Sequence, residues 1–355
     1  MLLTLRRRKV HEALLVGAFF FLSASQIRNV PLFPLVVAPI VATALREVWS
    51  QFNLTARFNL SSEKMMRLEK GAMLALAAVA VLFTVRVVNN AYYESDRRFI
   101  TFGLGLEIHA HPVKASTFLN ENGLDGRLLN DLNTGAYFGW KLKQKIFIDG
   151  RLEVMREAFF SDYKKAFVMG GLRTLIENYQ PDLIAFDFVA SLIWNQQLKQ
   201  LNDWRLIHLD ETATVYARKD YAQHIPTISL TDALTRLNLP ESFSEAERNA
   251  LLSLPEPSRI EKWLSGFWRT QPYPYQLMEL GVFCYQNGDA PAAERCYLQY
   301  IKETRGELAE SFFNLASLYY RAKEPALARH CYEKYVRMGG NHPLAQKRLS
   351  ELSAK

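Results

Sequence analysis

The last quarter of the chain repeats itself. Sliding the sequence by 35 positions sets Leu280-Gly281 on Leu315-Ala316, Tyr285 on Tyr320, Ala293 on Ala328, and Cys296-Tyr297 on Cys331-Tyr332. Tyr300-Ile301-Lys302 falls on Tyr335-Val336-Arg337 in the same register. A period of this length marks stacked supersecondary units, none of which can bury its apolar face without a neighbour. The Asn287-Gly288 turn and the break at Lys323-Glu324-Pro325 fall where paired helices would be joined. Two units are fewer than the three usually needed for independent stability, so other helices must cap them. Ser244-x-x-Glu247 and Ser258-x-x-Glu261 read as capping boxes that open two such helices, and Trp263 and Trp268 could bury against the first unit. Residues 345–352 read as a closing helix.

The front of the chain is organised differently. The 355 residues carry a formal net charge of +7, yet residues 1–98 hold 13 Lys and Arg against 6 Asp and Glu. The remaining residues therefore net to zero. A basic excess confined to one end argues against a globular nucleic-acid binder, whose charge would lie on a folded face. Between the basic clusters lie uncharged apolar runs, 13–27, 29–45 and 71–85. Arg6, Arg7, Arg8 and Lys9 precede the first, and Arg46, Arg57, Lys64, Arg67 and Lys70 fill the loop before the third. The pattern predicts a membrane segment over 1–97, with helices near 10–27, 29–45 and 71–92. The excess of positive loops sets the N-terminus in the cytoplasm and everything after about 92 outside it.

Residues 98–222 carry a mixed pattern that predicts an α/β domain with a mixed sheet. Strands are expected at 100–108 and 182–187 and at 204–209 and 212–217, with two more joined by a turn within 127–151. Helices are expected at 111–120, 158–179 and 189–201. Alternation at the end of a strand would set Asp149, Arg151 and Glu153 on one face, near Asn130, Asn133 and Tyr137 in sequence. Those six residues are candidates for binding a sugar or a phosphate, against the simpler role of an Asp–Arg pair closing a strand end. His109 and His111 lack a third ligand for a metal. No P-loop, dinucleotide fingerprint, nucleophile elbow or zinc-protease helix is present, and no cofactor is expected.

The succession NDLNTGAYFGWKL, IFIDGRLEV, a DLIAFD strand and WRLIHLDETATVYARK resembles a bacterial group of multi-spanning GT-C-type glycosyltransferases, at the end of their membrane domain and the soluble domain after it. The run IRNVPLFPLVVAPIVA at 27–42 is similar to the last membrane helices of that group. The resemblance covers roughly 12–220. It implies sugar transfer from polyprenyl-phosphate carriers at the inner membrane, with the soluble part extracytoplasmic. It also implies catalytic carboxylates in an early external loop, and no acidic residue occurs between Leu14 and Leu45. No residue of this sequence is therefore expected to be catalytic.

The 35-residue repeat resembles the tetratricopeptide (TPR) pattern: small Gly281, Ala293, Ala316 and Ala328 where paired helices approach, with Tyr297 and Tyr332 filling the gaps. That resemblance implies a groove for a peptide or protein partner. Cys296 and Cys331, one repeat apart and separated by about 10 Å of helix packing, are expected to be buried rather than bridged. The chain as a whole thus reads as three transmembrane helices, an α/β domain (98–222), a helical connector (223–272) and an all-α repeat module with a cap (273–355). Two functions remain open: the non-catalytic part of a lipid-carrier glycosyltransferase, or a membrane-anchored scaffold for a protein partner. The expected partners are the bilayer, a peptide or protein, and a polyprenyl-phosphate sugar, with no nucleic acid.

Overall fold

Helix length decides what the front of the chain can do in a bilayer. The structure, a computed structural model, describes residues 10–26, 29–51, 61–95, 102–104, 106, 110–258, 260–261 and 274–353. It divides into two units, Met1–Leu82 and Phe83–Lys355. In the first, α1 (Val10–Ser25) and α2 (Leu32–Gln51) pair as a hairpin in which Phe20 meets Phe33 edge-on at 6.1 Å. Ser23 and Ser25 donate their hydroxyls to the carbonyls of Phe19 and Phe21, which satisfies polar atoms inside an apolar helix. Helix α3 (Ser62–Val88) runs in sequence from the first unit into the second.

The expectation of three membrane helices is overturned on length. With 16 residues, α1 rises only about 24 Å. The apolar part of α2, Leu32–Ala44, is shorter still, and Pro39 interrupts its ladder. Both fall short of the roughly 30 Å hydrocarbon core. Among the described helices one alone, over the 23 residues Met66–Val88, is long and apolar enough to cross a membrane.

The second unit continues with α4 (Ala91–Ser95), α5 (Val113–Glu121), β1 (Leu128–Asn130) and α6 (Leu132–Lys141). Next come α7 (Glu157–Lys165), α8 (Gly171–Tyr179), β2 (Leu183–Asp187) and α9 (Leu192–Leu198). Strands β3 (Trp204–Leu209) and β4 (Ala213–Arg218) complete a four-stranded sheet in the order β1-β2-β4-β3. β1 runs parallel to β2, while β4 runs antiparallel to both β2 and β3. Side chains alternate between the faces, as strand geometry requires. Leu183, Ala185 and Val215 pack under Ala115 and Leu119 of α5 and Phe138 of α6. Ile184, Phe186 and Tyr216 face Leu172, Leu175 and Trp194 on the helices opposite. The second of these cores runs on without a break into the C-terminal helices.

Two local expectations fail here for identifiable reasons. The second of the two strands expected in 127–151 does not form; β1 is followed at once by α6. Asp131 caps that helix, accepting from the Thr134 N–H at 3.1 Å, and the alternating aromatics of AYFGW lie on a helix. The single helix expected over 158–179 is two helices, broken where Gly170 takes φ +86° and Gly171 packs on the Lys165 carbonyl. The strand expected at 100–108 lies mostly outside the described residues.

Beyond the sheet, α10 (Leu230–Arg236) and α11 (Glu245–Leu252) precede two antiparallel hairpins. These are α12 (Tyr275–Gln286) with α13 (Ala290–Thr304), and α14 (Ala309–Arg321) with α15 (Pro325–Arg337). Helix α16 (Pro343–Ser353) closes the stack. The chain is thus mostly helical, with a small sheet at the centre of its second unit, rather than a three-span membrane domain with soluble appendages. Trp263 and Trp268 fall outside the described residues.

Candidate functional site

Strand direction brings the polar residues of the sheet to one edge. Because β4 is antiparallel to both its neighbours, β1, β2 and β3 all point the same way, and their carboxyl ends share that edge. Crevices at this edge are the usual ligand position in sheets with parallel strands. Asn130-Asp131 follows β1, Asp187 ends β2, and Asp210-Glu211-Thr212 follows β3. A cavity of about 140 Å³ opens among them, lined by His111, Asn133, Asp187, Glu211 and Glu279. Glu279 comes from α12, so the repeat hairpins contribute a wall.

The carboxylates here have different tasks. Asp210 is buried; burial alone would raise its pKa, but hydrogen bonds from His208 at 3.0 Å and from the Ala213 and Thr212 N–H groups hold it below the usual range. It ties the β3–β4 turn together. Asp131 is buried as deeply, and burial wins there: its carboxyl is pushed up to about 6 against hydrogen bonds from Thr134 and Ser191. Asp187 uses Oδ1 to accept the Val189 and Ala190 N–H groups at 2.9 and 3.2 Å. Among the described residues its Oδ2 receives only Asn133 Nδ2, at 3.4 Å. Glu279 makes no hydrogen bond or ion pair among the described residues, and burial, with the charge of Asp187 adding, pushes it up to about 7. Lys114 is engaged with Glu211 at 2.6 Å. Among the described residues, the cleft therefore presents Asp187 and Glu279 without a facing cation.

Behind His111, a lining residue of the cleft, lie two further rings. His111 stacks on Tyr137 with centroids 5.5 Å apart and planes 12° apart, and Trp140, largely exposed, stands edge-on to Tyr137 at 5.6 Å.

The residues picked from sequence divide into three groups. Asn133 lines the cleft and Tyr137 supports it. Asn130 does neither: fully buried, it donates Nδ2 to the Ile148 carbonyl at 2.8 Å and accepts the Phe147 N–H at 2.7 Å. It stands in for the strand that does not form. Asp149, Arg151 and Glu153 are not on one face of a strand. They lie in a loop and a short 3₁₀ turn, Leu152–Val154, and pair locally. Arg151 donates to Asp149 at 2.9 and 2.5 Å, holding that carboxyl below its usual range, and Glu153 is exposed. The sequence reading missed Asp187, Glu279 and His111 as cleft residues. Asp187 was signalled by a carboxylate ending an apolar strand; Glu279 had no local signal at all. Among the described residues no group of three His, Cys, Asp or Glu is placed to hold a metal.

In the hairpins the six repeat residues are buried packing residues. A Cβ on Gly281 would lie 2.3 Å from the Tyr297 ring, and Ala293, Ala316, Ala328 and Tyr332 are all fully enclosed. Cys284, Cys296 and Cys331 are free and buried. No residue of α12 is exposed; its Phe283 meets Phe188, from the segment after β2, at 5.1 Å. The connector is pinned across the hairpins from outside. Arg295 of α13 donates to the Pro240 carbonyl at 2.7 Å, and buried Lys334 of α15 donates to Leu252 and Leu254 at 2.7 and 2.6 Å. No family model, curated protein or solved structure matches this chain.

Proposed function

We propose that the chain is a membrane-associated recognition protein whose sheet-edge cleft binds a sugar, acting in the transfer of sugars from lipid carriers. The supporting observation is the cleft itself. Asp187 and Glu279 offer acceptor atoms, Asn133 offers an amide, and the His111 ring, backed by Tyr137, lines the same opening. Hydroxyl groups donate readily to such carboxylates, and pyranose faces pack on aromatic rings. A phosphate would be repelled by the same two carboxylates. The cleft thus suits the sugar of a polyprenyl-phosphate donor, or a sugar acceptor, and not the phosphate-bearing end. No residue of this chain is assigned a catalytic step. A scaffold reading, with a peptide in the concave face of TPR-like hairpins, has less room, because α12 has no exposed residue.

Arg46, Arg57, Lys64, Arg67 and Lys70 lie before or at the start of the Met66–Val88 helix, against Arg86, Arg97 and Arg98 at its far end. That imbalance favours a cytoplasmic start and an extracytoplasmic second unit, at the inner membrane of a bacterium. A phosphatase fused after Lys355 is then active and a fluorescent protein fused there is dark; the reverse result overturns the orientation. For the cleft, the full chain in nanodiscs is titrated with a panel of monosaccharides and a short-chain polyprenyl-phosphate sugar, read by saturation-transfer NMR. Transfer to sugar protons that is lost in Asp187→Asn/Glu279→Gln supports the reading. No transfer from any sugar overturns it.

A further inference from the structure

The turn between α7 and α8 exposes two neighbouring apolar side chains on a rigid frame. Val168 is 66% exposed and Met169 53%, although their neighbour Phe167 packs inward against Tyr163 and Trp194. Fraying does not account for the exposure. The turn is closed by backbone bonds from Val168 N–H to the Lys165 carbonyl at 3.0 Å and from Gly171 N–H to the Val168 carbonyl at 2.9 Å. Buried Gln197 clamps both ends, accepting the Leu172 N–H and donating to the Ala166 carbonyl, each at 2.9 Å. Gly171 leaves no space for a side chain, since a Cβ would stand 1.9 Å from the Lys165 carbonyl oxygen. The fold therefore holds Val168 and Met169 in water by construction.

Basic residues surround this tip. Lys164, Lys165 and Arg173 are all exposed; Lys165 shares its charge with Asp162 at 2.8 Å, and Lys164 sits over the Phe160 ring. Arg173 has no partner among the described residues. Two side chains are too small an area for a specific protein interface, which needs about 800 Å² on each partner. Apolar tips among basic residues do suit a lipid surface, where the tips enter the headgroup boundary and the cations meet anionic headgroups.

We propose that the α7–α8 turn docks on an anionic lipid surface, with Val168 and Met169 inserted and Lys164, Lys165 and Arg173 on headgroup charges. The proposal rests on the reading that Met66–Val88 lies in a bilayer. It is tested on the full chain in nanodiscs whose lipids carry brominated acyl chains, with one fluorophore at a time on introduced cysteines, the native three being buried. The positions are Ala77→Cys in the Met66–Val88 helix, Met169→Cys in the turn, and Glu303→Cys on the exposed side of α13. Quenching is expected at 77 and 169 and not at 303. At 169 it should weaken about fivefold for each basic residue neutralised to Gln, and in zwitterionic lipid. Quenching at 77 with none at 169 overturns the turn proposal while leaving the spanning helix intact. No quenching at 77 overturns both. Quenching at 169 that ignores lipid charge overturns the role given to the basic residues.

Discussion

At the carboxyl edge of the sheet, close approach is backbone against backbone; in the hairpins it is a small residue against a ring. A Cβ on Gly135 of α6 would stand 1.8 Å from the Ile148 carbonyl oxygen, whereas on Gly281 of α12 it would meet the Tyr297 ring at 2.3 Å. The first contact is fixed by Asn130, whose side chain binds the 147–148 backbone in both directions. The second depends on a ring that can tilt. The hairpins themselves contain the test: at the position equivalent to Gly281 the second repeat carries a buried Ala316. Packing that recurs with a period tolerates adjustment, and packing made once, by a single long-range clamp, does not.

The largest effect should therefore come from Gly135→Ala. Alanine gains about 1 kcal/mol in helix propensity, yet the displaced Ile148 backbone and the strained Asn130 bonds should leave a net loss of about 3 kcal/mol. A depressed thermal midpoint in intrinsic fluorescence measures it. A midpoint equal to that of the parent would break the contrast, because the 143–150 loop would then be free to move. Asn130 itself was legible as a polar residue of interest and illegible in its role. Nothing in the local sequence says that a side chain will replace a strand partner 17 residues on.

Burial sets the next effect. Asp131, raised to about 6 in the folded chain, binds its proton more tightly there than when unfolded. Its contribution to stability is present below about pH 4 and is lost as pH rises to about 6, up to about 3 kcal/mol. Asp131→Asn keeps the cap to Thr134 and should remove the loss between about pH 4 and 6 from urea midpoints measured from pH 4 to 7, leaving the loss that Glu279 causes toward pH 7. Asp210, buried equally but held down by His208 and two backbone N–H groups, has the opposite sign: its contribution is present above about pH 4 and lost only below it, outside this range.

Gly281→Ala should cost less, about 1 kcal/mol, since helix propensity offsets part of the ring displacement. Adding Tyr297→Leu should return part of that loss if the ring is the obstacle. Purely additive losses would place the strain elsewhere. Here the sequence was informative because the physics is local and repeated. The 35-residue register located the small residues, and Ser244 and Glu247 exchange both bonds of the capping box. DLIAFD became β2 on its apolar run. Of the three apolar runs, the third lies in the Met66–Val88 helix, long enough to cross a membrane, while those at 13–27 and 29–45 form helices that are too short. α6 was misjudged because aromatic alternation resembles a strand until Asp131 and Thr134 are recognised as its cap.

Glu279 belongs to both sides of the contrast, and it yields the smallest and most discriminating effect. It sits on the first hairpin helix and faces Asp187 across the cleft, 92 positions away in sequence. Raised to about 7, its carboxyl changes from hydroxyl donor and acceptor to acceptor alone within the neutral range. Sugar affinity in the cleft should therefore change several-fold between about pH 6 and 8. Glu279→Gln, neutral throughout and still able to donate and accept, should remove that dependence while holding affinity near its acidic value. The same substitution should leave the thermal midpoint nearly unchanged at pH 6, where the native carboxyl is already mostly protonated. A pH profile that persists in Glu279→Gln would assign the titration to another group and detach the hairpins from the cleft. Loss of the profile with the fold intact would mean that the repeat helix, and not the sheet alone, decides what the cleft holds.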